Sequence, residues 1–482
     1  MEVNVNRSAK IVATIGPTSQ DELTLTRLIQ SGLNVARLNF SHGTHQDHAA
    51  RIKLIRHLSD KAGRPITILQ DLQGPKLRVG KLPPEGVELK AGQIVNLCQG
   101  MECSYDHLGA IIIPMDVPNL KEAIEPGNRI LLDDGNLEME VVEVRSDAIL
   151  AKVVLGGTLT SNKGVNLPGA KLVIPGFTEK DEEDLIFGLS QGVDAVAISF
   201  VRSASDIEIV RQAIRRIAPV NFEIPIIAKL ERPEAIVNLH EILHATDGVM
   251  VARGDLAVET SPAEVPITQK RIIQEANLHA KIVITATQML DSMIHNPRPT
   301  RAEASDVANA IFDGTDAVML SGETASGAYP VEAVQMMNLI VTEAEHHFGD
   351  WGHNNIFSEE TRDDAISMTR AARELAHDRN VAAIAVFTQT GRTALMMSKS
   401  RPRVPIIGLT PLVRTYQRMN LYWGVTPFLV PFANTVEEMI LTVEKALLST
   451  PSIREGDQVI ILSGFPVGSF RLPNLALLHT IS

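Results

Sequence analysis

The sequence predicts an α/β protein: a (β/α)8, or TIM, barrel with an inserted small β-barrel lid domain and a C-terminal α/β domain. Three observations lead there. Short apolar runs recur along the first two-thirds of the chain, amphipathic segments separate most of them, and the rhythm breaks once, between the third run and the fourth.

The runs are KIVATIG (10–16), NVARLNF (34–40), ITILQDL (66–72), DAVAISF (194–200), PIIAKLE (225–231), GVMVARG (248–254), KIVITAT (281–287) and DAVMLSG (316–322). Each is rich in Val, Ile or Ala, as expected of strands buried on both faces. TEKDEEDLIFGLSQG, SASDIEIVRQAIRRIAP and RAEASDVANAIFDG lie between runs and open on Ser, Thr or acidic residues, which marks helix starts. Strand–helix units repeated in this order read as a barrel, with a doubly wound sheet as the main rival.

Residues 74–170 are rich in Gly and Pro and carry strand-like stretches at VELKAGQIVNL, NRILLDDG, LEMEVVEV and AILAKVVLGG. They read as a small β domain in the third βα loop, over the barrel mouth where it can act as a lid. After the eighth unit come a helix, YPVEAVQMMNLIVTEAEHHF, and a polar linker, GDWGHNNIFSEETRDD. The tail then alternates helix (AISMTRAARELAHD), strand (VAAIAVFTQ), helix, strand (VPIIGLT), helix (TVEEMILTVEKALLS) and strand (DQVIILSG). The expected division is barrel 1–73 and 171–350, lid 74–170, and C-terminal domain 351–482.

At 482 residues and 44% hydrophobic, the chain can bury a large core. It has no apolar run long enough to span a membrane, and MEVNVNRSAK lacks the apolar stretch of a signal or transit peptide. Cys98 and Cys103 have no metal-motif spacing and read as packed or surface thiols in a reducing cytoplasm. A net charge of −12 argues against a nucleic-acid partner.

Polar residues at the C-terminal ends of apolar strands stand out. Arg37, Asn39 and Ser41 alternate at the end of the second run, and Asp71 ends the third. Lys229 and Glu231 close the fifth, Arg253-Gly254-Asp255 the sixth, and Thr287 the seventh. Taken singly, such an Asp is a helix cap and a Lys-x-Glu an ion pair; together Arg37 and Lys229 with Asp71, Glu231 and Asp255 gather two basic and three acidic groups at the end where barrel chemistry occurs. Glu231 and Asp255 offer hard oxygen ligands for Mg2+ or Mn2+. Arg37 and Lys229 are fixed cations suited to a phosphate and to charge developing as it transfers. Gly254 allows backbone amides close to an anion. The set points to a small, multiply anionic substrate and to phosphoryl transfer. There is no Walker A loop or protein-kinase signature, so nucleotide binding cannot be read from general motifs.

At these residues the chain resembles pyruvate kinase. The likeness runs in order through KIVATIGP, GLNVARLNFSHG, LQDLQGPKLRVG, KGVNLPG, TEKDEEDLIFG, AISFVR, AKLERPEAI, VMVARGDLAVE, ATQMLDSM, PTRAEASDVANAIFDGTDAVMLSGETASGAYP and TQTGRTA, over nearly the whole chain. The resemblance implies transfer of the phosphoryl group of phosphoenolpyruvate to ADP, giving pyruvate and ATP. It implies that Lys229 stabilises the transferring group, that Glu231 and Asp255 hold the divalent ion, and that Arg37 binds phosphate. Gly254, Asp255 and Thr287 would meet the carboxylate end of the substrate, with Thr287 near the site of enolate protonation. Arg78 and Lys163 would contact the nucleotide phosphates, with Asn39 and His42 nearby; alone, His42 could equally be structural. A cytoplasmic homotetramer is implied too.

One departure bears on the cofactors. Members that need K+ bind it through residues matching Asn39, Ser41, Asp71 and a threonine; here that last residue is Leu72, and the family's nearby glutamate is Lys76. An ammonium there can supply the charge of a monovalent cation, so the chain resembles the K+-independent subgroup and K+ is not expected to be required. In the C-terminal domain, Thr388-Gln389-Thr390-Gly391-Arg392-Thr393 resembles the family's phosphosugar-effector segment, a turn able to hold phosphate through amides and hydroxyls. The last loop, SGFPVGSFRLPN, departs from the usual effector loop, leaving a phosphosugar or a nucleotide as the effector class. Two rivals remain: another metal-dependent barrel enzyme acting on phosphoenolpyruvate or pyruvate, and a non-catalytic phosphosugar or nucleotide sensor. The lid and its Arg78 and Lys163 speak against the first, and the retained Lys229, Glu231 and Asp255 against the second.

Overall fold

A computed structural model of the chain describes residues 7–100, 104–105, 111–133, 135–146, 148–170, 175–219, 222–352, 363–468 and 471–482. Cys103 and most of the expected linker, residues 353–362, lie outside this set.

Eight parallel strands close into a barrel: β1 Lys10–Thr14, β2 Val35–Asn39, β3 Thr67–Asp71, β4 Ala195–Ile198, β5 Ile226–Leu230, β6 Gly248–Ala252, β7 Ile282–Ala286 and β8 Ala317–Leu320. Each is shorter than its apolar run, because the last residues of the run turn away from the ladder. Ser41 therefore does not continue the alternation of Arg37 and Asn39. The strand stops at Asn39, and the Ser41 amide instead donates to Asn39 Oδ1 at 3.1 Å. Lateral pairing of Thr14 with Arg37, Asn39 with Asp71, Asp71 with Ala197, and Leu230 with Val251 levels the strand ends around one mouth.

Helices between the strands start where short polar side chains can satisfy exposed amides. Thr178 with Asp181 and Thr300 with Glu303 form reciprocal capping boxes. Outside the barrel, Leu25, Leu28, Ile55, Ile207, Ile242, Ile272 and Met337 pack with the strands' outward side chains in one core. Inside, Val12, Leu69, Ile227, Met250, Ile284 and Met319 fill the lumen, so the barrel is solid below its mouth.

The insertion is a sheet in the order 165–166, 129–132, 137–144, 149–155, 94–99, 111–116, 78–79. A bridge between Arg78 and Gly164 links its two ends and nearly closes it. Its own core holds Val79, Leu97, Ile113, Met115, Ile130 and Met139.

In the C-terminal domain, β9 Ala383–Phe387, β10 Ile406–Thr410, β11 Val425–Leu429, β12 Gln458–Ser463 and β13 Leu475–Thr480 form one sheet, ordered β11-β10-β9-β12-β13, with only β13 antiparallel. The two edges, β11 and β13, were not legible as strands: β11 contains Pro427, and β13 is a short run, half-buried at every position but the exposed Thr480.

This domain seats against the N-terminal end of the barrel. Asp316, buried just before β8, receives the ammonium of Lys399, and its Oδ1 accepts from Arg401 Nη2 at 2.8 Å. Lys399 also donates to Asn277 Oδ1 at 2.8 Å, and the Arg401 guanidinium lies 4.4 Å from the Trp423 ring centre. Burial pulls the Lys399 ammonium down to about 8, against the attraction of Asp316. No described helix is long and apolar enough to cross a membrane.

Candidate active site

The mouth is organised by one acid between two bases. Asp71, at the end of β3 and 1% exposed, receives Arg37 from β2 through Nε at 2.7 Å and Nη2 at 2.6 Å, both on Oδ2. Its Oδ1 makes no hydrogen bond but lies 3.4 Å from Lys229 Nζ of β5. That ammonium is 2.9 Å from Glu231 Oε1 and donates to Ser199 Oγ at 2.8 Å. Arg37 Nη1 donates to Thr14 Oγ1 at 2.9 Å, and the Phe200 amide donates to Glu231 Oε2 at 2.8 Å. Both cations are held by several partners from neighbouring strands, which fixes their positions before any substrate arrives.

Electrostatics follow the geometry. Burial acts to raise the Asp71 carboxyl, but the charges of Lys229 and Arg37 outweigh it and hold the carboxyl below its ordinary value. Burial likewise disfavours the charged form of Lys229, and Asp71 and Glu231 reverse this, raising its pKa above that of a free lysine. Lys229 is thus a permanent cation at neutral pH and cannot serve as a base.

Thr287 follows β7 with φ of 66°, and Gln288 follows with 53°. A β-branched residue in the left-handed region is strained, and such strain persists only where the surroundings impose it. Arg253 imposes it here. Its buried guanidinium donates to the Thr287 carbonyl at 2.7 Å and the Ala286 carbonyl at 3.2 Å, and pairs with Asp306 at 2.6 Å. The Thr287 hydroxyl turns towards the start of the helix Arg253–Glu259, where it accepts from the Gly254 amide at 2.7 Å. Asp255 stands in the first turn of that helix, beyond β6 rather than on it.

Arg78 and Lys163 both belong to the lid and are adjacent there, with the Val79 amide bonded to the Lys163 carbonyl at 2.9 Å. Lys163 pairs with Asp133 at 2.6 Å, and Arg78 donates to the Asn162 carbonyl at 2.7 Å. His42 is pulled below the usual histidine range, by burial first and then by the charges of Lys76, Arg78 and Arg37. Its ring therefore lies where lid cations and a barrel cation converge. Leu72 is buried, and its carbonyl accepts from Ser199 Oγ at 2.7 Å.

Glu231 and Asp255 flank the β5–β6 seam, and both are hard donors. The set Arg37, Lys229, Asp71, Glu231 and Asp255 carries one net negative charge, which opposes a phosphorylated carboxylate unless a divalent cation joins it. Each Glu231 oxygen accepts one hydrogen bond and keeps a further lone pair. The donors fit Mg2+ or Mn2+.

Sequence reasoning missed Thr14, Ser199, the Phe200 amide and the Arg253 clamp. Ser and Thr at strand ends are too common to single out, and a backbone amide has no sequence signature. Arg253 was visible as a buried-run cation, but its clamp role depends on the Thr287 turn.

On the far side of the barrel, a cavity of about 790 Å³ opens between the N-terminal ends of β5–β7 and the C-terminal domain. Thr388, Gln389, Thr390, Arg392 and Thr393 line it, across from Lys281. The turn is built as a loop, with Gly391 at φ of 83° and its amide bonded to Thr388 Oγ1 at 3.1 Å. Gly391 takes the helix N-cap position, where Arg392 begins the helix Arg392–Lys399.

Comparison with known proteins agrees with this architecture. Residues 6–334 match the family described as pyruvate kinase, barrel domain, and residues 365–479 match pyruvate kinase, alpha/beta domain. Similar proteins include the pyruvate kinase of Geobacillus stearothermophilus, 44% identical over 99% of this chain and 81% of its own length. Pyruvate kinase 2 of Synechocystis is 46% identical over 95% of this chain and 76% of its own length. The pyruvate kinase of Mycobacterium tuberculosis is 42% identical over 99% of each.

Proposed function

The chain belongs to the pyruvate kinase family, and from that premise we propose how its own residues carry the family's reaction. The activity is pyruvate kinase activity: the bond from phosphorus to the enol oxygen of phosphoenolpyruvate breaks, a bond from phosphorus to the terminal phosphate oxygen of ADP forms, and the enolate gains a proton to become pyruvate.

Arg37 binds the phosphate. Lys229 lies beside it and offsets the charge that builds on the equatorial oxygens as the phosphoryl group moves. Both cations are already fixed by Asp71, so little reorganisation is needed at the moment of transfer. That shared acid is the observation on which the assignment rests. The family uses a divalent metal; Glu231 and Asp255 would hold it, and when bound it supplies the positive charge that a polyanionic substrate needs here. The Gly254 amide and the Thr287 hydroxyl orient the carboxylate end. The hydroxyl, aimed by the strained turn, is the group positioned to relay a proton to the enolate carbon.

Arg78 and Lys163 on the lid, with Asn39 and His42 at the mouth, take the ADP phosphates. Lys76, whose charge is felt at His42, takes over the role of K+ beside Asn39, Ser41, Asp71 and the apolar Leu72. The segment Thr388–Thr393 receives a phosphosugar or nucleotide effector in the cavity it lines. A cytoplasmic homotetramer, with residues 351–482 as the regulatory domain and 74–170 as the lid, completes the reading.

The test is pyruvate formation by the purified chain with phosphoenolpyruvate, ADP and Mg2+, read by NADH oxidation through lactate dehydrogenase. ADP-dependent pyruvate formation in tetramethylammonium buffer is expected, with little gain from K+ and stimulation by one member of a panel of sugar phosphates and nucleoside monophosphates. Pyruvate release without ADP would favour another phosphoenolpyruvate enzyme. A large loss without K+ would remove the Lys76 assignment alone.

A further inference from the structure

Among the described residues, one group of three metal-capable side chains brings its ligand atoms together, and it lies away from the mouth. His240, His244 and His279 each offer a ring nitrogen, and these three nitrogens all lie within 4.8 Å of one another. The first two are four residues apart on the helix Leu239–Ala245, so they share one face. The third is the C-cap of the helix Val265–Leu278, which packs alongside. Their ring centres are 4.5, 4.9 and 5.2 Å apart, and the planes are steeply inclined rather than stacked.

Two features prepare these rings for a metal. His279 Nδ1 lies 2.9 Å from the Glu275 carbonyl. A carbonyl only accepts, so Nδ1 carries the proton and Nε2 keeps the lone pair. This carbonyl–imidazole arrangement is how metal-ligating histidines are oriented. The Glu275 carboxylate, 4.0 Å from the same nitrogen, adds negative charge behind the ring.

We propose that His240, His244 and His279 form a site for a borderline transition-metal ion of the Zn2+ class, distinct from the hard-oxygen site at the barrel mouth. Three imidazole nitrogens favour Zn2+ over Mg2+ and leave a fourth position for water. Tetrahedral Zn–N bonds of about 2.0–2.1 Å require nitrogens about 3.3 Å apart, which small rotations of exposed side chains can reach. The ion would clip the helix after β5 to the end of the helix after β6. These elements follow the strands that lead to Lys229, Glu231 and Asp255, and His279 also lines the interdomain cavity.

The test uses the full chain, freed of metal by chelation, titrated with Zn2+ by calorimetry in excess Mg2+ so that the mouth is already occupied. One tight equivalent is expected, together with a rise in melting temperature that Mg2+ alone does not produce. Co2+ in its place should give the visible absorption of a four- or five-coordinate nitrogen site. In His244→Gln and His240→Gln the Zn2+ affinity should fall at least a hundredfold and the Co2+ band should vanish, while the metal-free melting temperature stays unchanged. Zn2+ affinities within threefold of the parent in both variants, or no tight equivalent in the parent, would overturn the proposal.

Discussion

Replacing Lys229 by Met tests the centre of the site, because the structural task of this ammonium and the catalytic task proposed for it separate in the readout. Nζ stands 2.9 Å from Glu231 and 3.4 Å from Asp71, and both acids are essentially buried. At an effective dielectric of about 20, each contact is worth roughly 5 kcal/mol before desolvation. Asp71 keeps Arg37, and Glu231 keeps the Phe200 amide. The net loss of stability should therefore be about 3–5 kcal/mol, the usual cost of removing one partner of a buried pair. A protein with about 5–15 kcal/mol in hand still folds. The turnover penalty is of another size. A cation acting on a transferring phosphoryl group contributes about 10³–10⁵ in rate, roughly 4–7 kcal/mol of barrier. Turnover should be measured per folded molecule, at a temperature well below the variant's melting point. Lys229→Arg serves as a second probe that keeps charge but alters geometry. Lys229→Met with turnover within tenfold of the parent would refute the reasoning, since a lysine that only balanced buried acids would cost stability and little else.

Lys76→Glu should convert the enzyme to K+ dependence, lowering turnover at least tenfold in tetramethylammonium and recovering it in K+; equal loss in both salts would count against the substitution of an ammonium for K+. Asp316→Ala should cost about 3–5 kcal/mol in urea unfolding followed by probes in each domain, because Lys399 and Arg401 then face each other without their anion; a loss below about 1 kcal/mol would show that the clasp is not what seats the C-terminal domain. Lys399 sets a pH dependence whose sign is fixed. Its folded pKa, about 8, is below the ordinary lysine value of 10.5, so between those values the unfolded chain binds more protons and stability rises with pH. Relative to Lys399→Met, the parent should gain on the order of 3 kcal/mol across that window; a flat difference would place the folded pKa near its ordinary value.

The barrel was legible because its strands are buried on both faces, so runs such as GVMVARG stay apolar until the chain leaves the ladder. The same rule overextended every strand: Glu231, Gly254 and Thr287 belong to the apolar run but to the turn or helix after it. Lys229 and Glu231 stood out because a charge in such a run is costly unless paired. What pairs them was not legible. Asp71 looked like one ligand of a cation site, and only closure of the barrel, which sets Arg37, Asp71 and Lys229 at one level, makes it the partner of both bases. Thr287 carries no sign of its positive φ, since the signal lies in the guanidinium of Arg253 reaching its carbonyl. The His240–His244 pair does carry one, a four-residue spacing on a helix, but its third member is 35 residues away from His244 and joins it only through helix packing.

The position of Asp71 bears on why two fixed cations at this mouth do not by themselves offset the charge of a polyanionic substrate. A cation that also serves as a counter-ion for a buried acid cannot swing away when substrate departs, because leaving would strand the acid. Arg37 and Lys229 are therefore retained in place through the cycle by the cost of uncovering Asp71, and the site does not need substrate to assemble. The arrangement also limits what either cation can lend to the substrate, since part of each charge is already committed to Asp71. The remainder has to come from elsewhere: in the proposed reading, from a divalent ion that Glu231 and Asp255 would hold, and from the lid cations whose charge already reaches His42. Transfer then depends on lid and barrel acting together, so a variant that uncouples them, with every mouth residue intact, should lose turnover.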